Sequence, residues 1–148
     1  MTYLDTSALL KRFVAETGTV LVTALVSRHG PVATATIAFA ELHAGLARKR
    51  REGHLSEGEY ARTCRRFDHD WGAYVRVDLD DEVLVLARDL VRRHPLKGFD
   101  AIHLASALTL RTALSENIVF AAADARLLNA ARAEHLRPLN VERATVPQ

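Results

Sequence analysis

Four acidic residues stand out by their surroundings. Asp5 follows the apolar pair Tyr3-Leu4 and precedes Thr6-Ser7, and Glu41 lies among Ala38, Phe39, Ala40 and Leu42. Asp100 falls at the expected start of a helix, and Asp124 follows the apolar run Ile118–Ala122. Each has a plain structural use. The three aspartates are good helix N-caps, and Glu41, facing inward, would need a partner such as an arginine. Taken together they point to different chemistry. Four carboxylates cannot crowd together unpaired, because each raises the pKa of the others, and a divalent cation removes that conflict. All-oxygen ligation favours Mg²⁺ or Mn²⁺. Such an ion lowers the pKa of a water and neutralises charge on a phosphodiester. The expected site is therefore Asp5, Glu41, Asp100 and Asp124 as catalytic and metal-holding groups. Thr6 and Ser7 either orient a carboxylate or bind a metal water, or cap a helix. His103, three residues beyond Asp100 on the same helix face, either touches substrate or Asp100 or is a structural residue.

Something must bring these acids together. Short apolar runs alternate with longer helical ones, without internal repeats or a Pro/Gly/Ser linker. Strands are expected at Tyr3–Asp5, Val32–Thr34, Tyr74–Val77 and Ile118–Ala122. An edge strand is expected over Leu136–Val141, where Pro138 cannot donate to a ladder. Helices are expected over Ser7–Val14, from Thr17 or Thr19 to His29, and over Thr36–Arg51. Others run from the Ser56/Glu59 capping pair to Trp71, then over Asp80–Arg93, Phe99–Thr112 and Asp124–Ala133. This alternation implies a three-layer α/β/α fold, with a short central parallel sheet of four to five strands flanked by helices. In such sheets ligands bind beyond the carboxyl ends of the strands, which is where the acids fall. Tyr3, Phe13, Phe39 and Phe99 are expected in the core.

Composition narrows the function. The 148 residues suit a single domain over 1–148, with 49% hydrophobic and 26% charged residues. One cysteine, Cys64, excludes an internal disulfide and fits a reducing cytoplasm. No signal peptide or membrane-spanning run is expected, so a soluble cytoplasmic protein is. Net charge is only +2, but the basic residues cluster. Arg48-Lys49-Arg50-Arg51 form a block, Arg62, Arg65 and Arg66 share a helix face, and Arg88, Arg92, Arg93 and Lys97 form a third group. Such clusters suit a polyanion such as nucleic acid, or are simply solvated helix faces. The seven histidines show no zinc-type spacing. Phosphate-loop, dinucleotide-binding and serine-hydrolase motifs are absent.

Four segments carry a resemblance. Tyr3-Leu-Asp-Thr-Ser-Ala-Leu-Leu-Lys11, Thr36-Ile-Ala-Phe-Ala-Glu-Leu-His-Ala-Gly-Leu46, Phe99-Asp-Ala-Ile-His-Leu-Ala105 and Val119-Phe-Ala-Ala-Ala-Asp-Ala-Arg-Leu-Leu128 occur in the order found in PIN-domain proteins. The chain resembles in particular the VapC-type toxins of toxin–antitoxin pairs. One departure is Ala122-Ala123 before Asp124, where the family often has a threonine. The resemblance implies a Mg²⁺- or Mn²⁺-dependent endoribonuclease, a homodimer, and a cognate antitoxin that covers the acidic cleft. Two other readings compete. One is a non-catalytic RNA- or protein-binding module on the same fold. The other is an aspartyl phosphatase of the haloacid-dehalogenase type, which wants a second acid two positions beyond the first, where this chain has Ser7.

Overall fold

A computed structural model describes residues 1–28 and 30–144. Five strands form one wholly parallel sheet: β1 (Thr2–Leu4), β2 (Val32–Ala35), β3 (Val75–Val77), β4 (Val119–Ala122) and β5 (Arg137–Asn140), in the order β3-β2-β1-β4-β5. The helices among the described residues are α1 (Thr6–Leu10), α2 (Thr19–Ser27), α3 (Ala38–Arg51), α4 (Glu57–Asp70), α5 (Asp81–Arg93), α6 (Gly98–Leu114) and α7 (Ala125–Ala133). The expected α/β/α architecture is present, and β5 is an edge strand containing Pro138.

Alternation along the strands divides the core into two layers, because successive side chains leave opposite faces of a sheet. Tyr3, Ala33, Ala35, Phe120 and Ala122 pack on one face with Leu90, Leu104 and Leu127, from α5, α6 and α7. Leu4, Val32 and Ala121 face the other way and pack with Leu9, Val22, Leu42 and Phe67, from α1, α2, α3 and α4. The chain thus builds β1, β2 and β3 outward under one helical layer. It then crosses over and continues on the far side of β1 with β4 and β5 under the other layer. That reversal makes the β1–β4 seam a topological switch point, where the loops leaving neighbouring strands diverge and leave a crevice. Tyr3 pairs with Phe120 and Leu4 with Ala121 across the seam.

Some boundaries differ from expectation. The first helix stops at Leu10 rather than Val14. Lys11, Arg12 and Phe13 instead donate to the carbonyls of Ala8, Leu9 and Leu10, three residues back, in tight turns. The next helix begins at Thr19 after Gly18, which takes φ +96°; an added Cβ there would stand 2.5 Å from the Val141 carbonyl oxygen. The expected end of that helix, His29, lies outside the described residues. Helix α4 opens with the expected Ser56/Glu59 capping box. Two expected core aromatics are exposed: Phe99, at 59%, and Phe39, at 38%. Phe39 spends its ring on neighbours, 5.6 Å from Phe67 and 5.2 Å from Trp71.

Candidate active site

Asp5 stands one residue beyond β1, and its N–H still donates to the Ala121 carbonyl of β4 at 3.1 Å. Its carboxylate caps α1 by accepting from Ala8 N–H at 2.9 Å. Ser7 Oγ donates to Oδ1 at 2.7 Å and approaches Oδ2 at 2.9 Å. The same Oγ accepts from Ala123 N–H at 3.1 Å, so Ser7 ties the chain leaving β4 to the acid leaving β1. Asp5 is only 4% exposed. Burial is the largest influence on it and pushes its pKa up to about 6. The charge of Asp100 adds to the rise, against His103 and the donors Ala8 and Ser7.

Asp100 lies in the first turn of α6, which begins two residues earlier at Gly98. The cap position is Lys97, so Asp100 is free of the capping duty that the sequence allowed it. It is half-buried, and burial raises its pKa. The charges of Asp124 and Glu41 raise it further, against His103 and Lys97. Asp124 is exposed and does cap a helix, accepting from Leu127 N–H at 2.9 Å. Glu41, in the first turn of α3, accepts on Oε1 from Thr6 Oγ at 2.7 Å and from His103 Nε2 at 2.7 Å. Burial pushes its pKa up, but the hydrogen bond and charge of His103 and the bond from Thr6 outweigh that and hold it low. Its partner is thus His103, not the arginine expected. Nor does His103 pair with Asp100: its ring contacts are Tyr3, Thr6 and Glu41.

The mutual charge effects join Asp5 to Asp100, and Asp100 to both Asp124 and Glu41. All four predicted acids therefore share one electrostatic neighbourhood at the β1–β4 seam. Among the described residues, no three His, Cys, Asp or Glu stand close enough together to hold an ion unaided. That arrangement fits a hard, strongly hydrated cation, which takes one or two carboxylates and keeps several waters. It does not fit a structural zinc, which takes four protein ligands, mostly cysteine and histidine. The elevated carboxyls at Asp5 and Asp100 fit too, because a cation relieves both their desolvation and their mutual repulsion.

A groove of about 670 Å³ is lined by Thr6, Ser7 and Glu41 and also by Arg48, Lys49 and Arg51. Among the described residues, Glu41 is the only one of the four acids that lines it. The exposed Phe99 ring also lines it. Lys49 pairs with Glu16 at 3.0 Å, and the buried Lys11 bridges Glu16 at 3.1 Å and Glu142 at 2.7 Å. Arg48 and Arg51 form no ion pair among the described residues. Sequence reasoning missed the Tyr3 hydroxyl, which meets His103 Nδ1 at 2.9 Å, and the Lys11 cluster. The one signal for the latter was a lysine embedded between Leu9-Leu10 and Phe13-Val14.

A parallel sheet with a reversal at β1, and acids gathered at that reversal, defines the class: the PIN-domain model matches residues 2–133, and the chain belongs to that family, of the VapC type. It is 36% identical over 137 residues to Ribonuclease VapC45 of Mycobacterium tuberculosis, covering 93% of each chain. Its fold is similar to that of FitAcB from Neisseria gonorrhoeae, with a TM-score of 0.69 at 17% identity over 97% of this chain and 100% of that one. It is also similar to a chain of a toxin–antitoxin complex from Klebsiella pneumoniae, with a TM-score of 0.67 at 15% identity over 95% and 98%.

Proposed function

We propose that this protein is a divalent-metal-dependent endoribonuclease and the toxin half of a toxin–antitoxin pair. The observation that carries this reading is the shared neighbourhood of the four carboxylates, in which Asp100 links the other three and the buried Asp5 has its pKa pushed up to about 6. The similarity to a protein named a ribonuclease supports it.

In this reading Asp5 and Asp100 hold Mg²⁺ or Mn²⁺ directly, and Glu41 and Asp124 do so directly or through waters. When bound, the ion supplies a more acidic water and positive charge beside the phosphodiester. Asp5 reaches its ionised, ion-accepting form above about pH 6. Ser7 fixes both Asp5 oxygens, and Thr6 fixes Glu41. Arg48 and Arg51, exposed beside the groove, hold the RNA backbone. A cluster of acids is also a natural seat for a basic side chain, which supports an antitoxin whose tail covers the cleft. A homodimer completes the reading.

Asp100→Asn is the cleanest test, because Asp100 caps nothing. The purified variant should cleave RNA at least about a hundredfold more slowly than wild type. Excess EDTA should abolish wild-type cleavage, and Mn²⁺ or Mg²⁺ should restore it. Full activity in EDTA would refute the mechanism. RNA binding without cleavage under any metal would favour a non-catalytic module, and a covalent phosphate on Asp5 would favour the phosphatase reading.

A further inference from the structure

His103 is a deeply buried ionisable side chain beside the acids, and the chemistry above leaves it unused. It is 2% exposed on α6, yet both of its ring nitrogens are engaged. Nε2 lies 2.7 Å from Glu41 Oε1 and 3.0 Å from Thr6 Oγ. Nδ1 lies 2.9 Å from the Tyr3 hydroxyl. The Tyr3 ring is itself fully buried and stacked on Phe120 at 5.4 Å. The contacts span 62 residues of sequence from His103 to Glu41 and 100 to Tyr3, so the tertiary fold alone assembles them.

The direction of the bond to Glu41 follows from chemistry. An ionised carboxylate only accepts, so the hydrogen between the two groups belongs to Nε2. Thr6 Oγ donates to the same oxygen. Both donors therefore hold Oε1, and among the described residues no hydrogen bond takes up Oε2, whose lone pairs stay available to a cation or to substrate. A glutamate side chain carries considerable rotamer freedom, and two fixed donors on one oxygen remove most of it. A histidine that merely filled the core would need no donor aimed at a half-buried carboxylate, and an apolar side chain would fill the space at lower desolvation cost.

We propose that His103 is a positioning residue: backed by Tyr3, it holds one oxygen of Glu41 so that the other is presented in a fixed place to the reacting groups. This inference rests on the ribonuclease reading. A first measurement is independent of that reading. In the metal-free protein labelled with ¹⁵N-histidine, NMR should show a proton on His103 Nε2 that exchanges slowly with water; a bare Nε2 would overturn the arrangement. The second measurement compares His103→Leu with His103→Gln, which keeps an N–H donor for Glu41. If wild type cleaves RNA, kcat should fall about 10- to 100-fold in His103→Leu. KM for RNA should stay within about threefold of wild type, and His103→Gln should recover most of the kcat loss. Equal losses in both variants, or unchanged kcat in His103→Leu, would overturn the proposal. Should His103→Leu fail to fold, Tyr3→Phe substitutes: it preserves ring volume, and the Nε2 proton should then exchange faster. Unchanged exchange in Tyr3→Phe would overturn the role given to Tyr3. Wild type that cleaves no RNA under any metal would defeat the ribonuclease reading alone, leaving the NMR result to judge the clamp.

Discussion

Replacing Asp5 with asparagine should make the protein more stable at neutral pH while it loses function. Asp5 is 4% exposed, and its pKa rises from 3.8 to about 6 on folding, with burial the largest cause. The folded protein therefore holds this proton over a range where the unfolded chain has already released it. Stability falls as pH rises from about 4 to about 6, and the deficit persists above that window. At 1.36 kcal/mol for each pH unit, the gap between 3.8 and 6 corresponds to about 3 kcal/mol. Asparagine carries no charge, keeps a carbonyl oxygen for Ala8 N–H, and can donate from its amide to Ser7 Oγ. Local relaxation trims the gain to about 1–3 kcal/mol, or about 3–10 °C in Tm for a chain of this size. Thermal unfolding of wild type and Asp5→Asn, both metal-free, at intervals between pH 4 and pH 8 measures it directly. The two curves should nearly coincide at pH 4 and diverge above pH 6, with the variant the more stable. A variant less stable than wild type at pH 8, or a difference that ignores pH, would refute the claim that burial of a charge sets this site.

Other perturbations read other parts of the structure. Lys11→Met should destabilise the protein by about 1–3 kcal/mol, because Glu142 loses the lysine it pairs with and Glu16 keeps only Lys49. The estimate lies below that for a fully buried pair because both carboxylates keep partial contact with water, and denaturant titration gives the value. Gly18→Ala should cost about 2–4 kcal/mol, combining the left-handed φ of +96° with a Cβ only 2.5 Å from the Val141 carbonyl oxygen. A neutral result in thermal unfolding would mean that the Gly18–Val141 contact opens freely.

Much of the fold was legible because its signals are local. Tyr3-Leu4-Asp5 reads as a short strand with a polar exit, and Ser56/Glu59 announces a helix start that the capping box realises. Asp5, Glu41, Asp100 and Asp124 were legible as candidates because carboxylates beside apolar runs need a reason. What eluded the sequence depends on distant partners. Helix α1 stops early, where Lys11 turns toward Glu16 and Glu142, and Glu142 is 131 residues away. Glu41 finds His103 rather than an arginine, since nothing in the local pattern marks which of many hydrogen-bond donors the fold will deliver. Phe99 looked like a core residue by type alone, but it sits in the first turn of α6 with its ring 59% exposed, lining the groove. Asp100 has no capping role because α6 starts at Gly98, with Lys97 at the cap position.

The central claim is that carboxylates far apart in sequence share one divalent ion. Anomalous diffraction from crystals saturated with Mn²⁺ tests it most directly. A peak within about 2.0–2.6 Å of oxygens from both Asp5 and Asp100 is the predicted result. Under the same saturation, a peak elsewhere in the molecule that leaves both carboxylates without a ligand would contradict it.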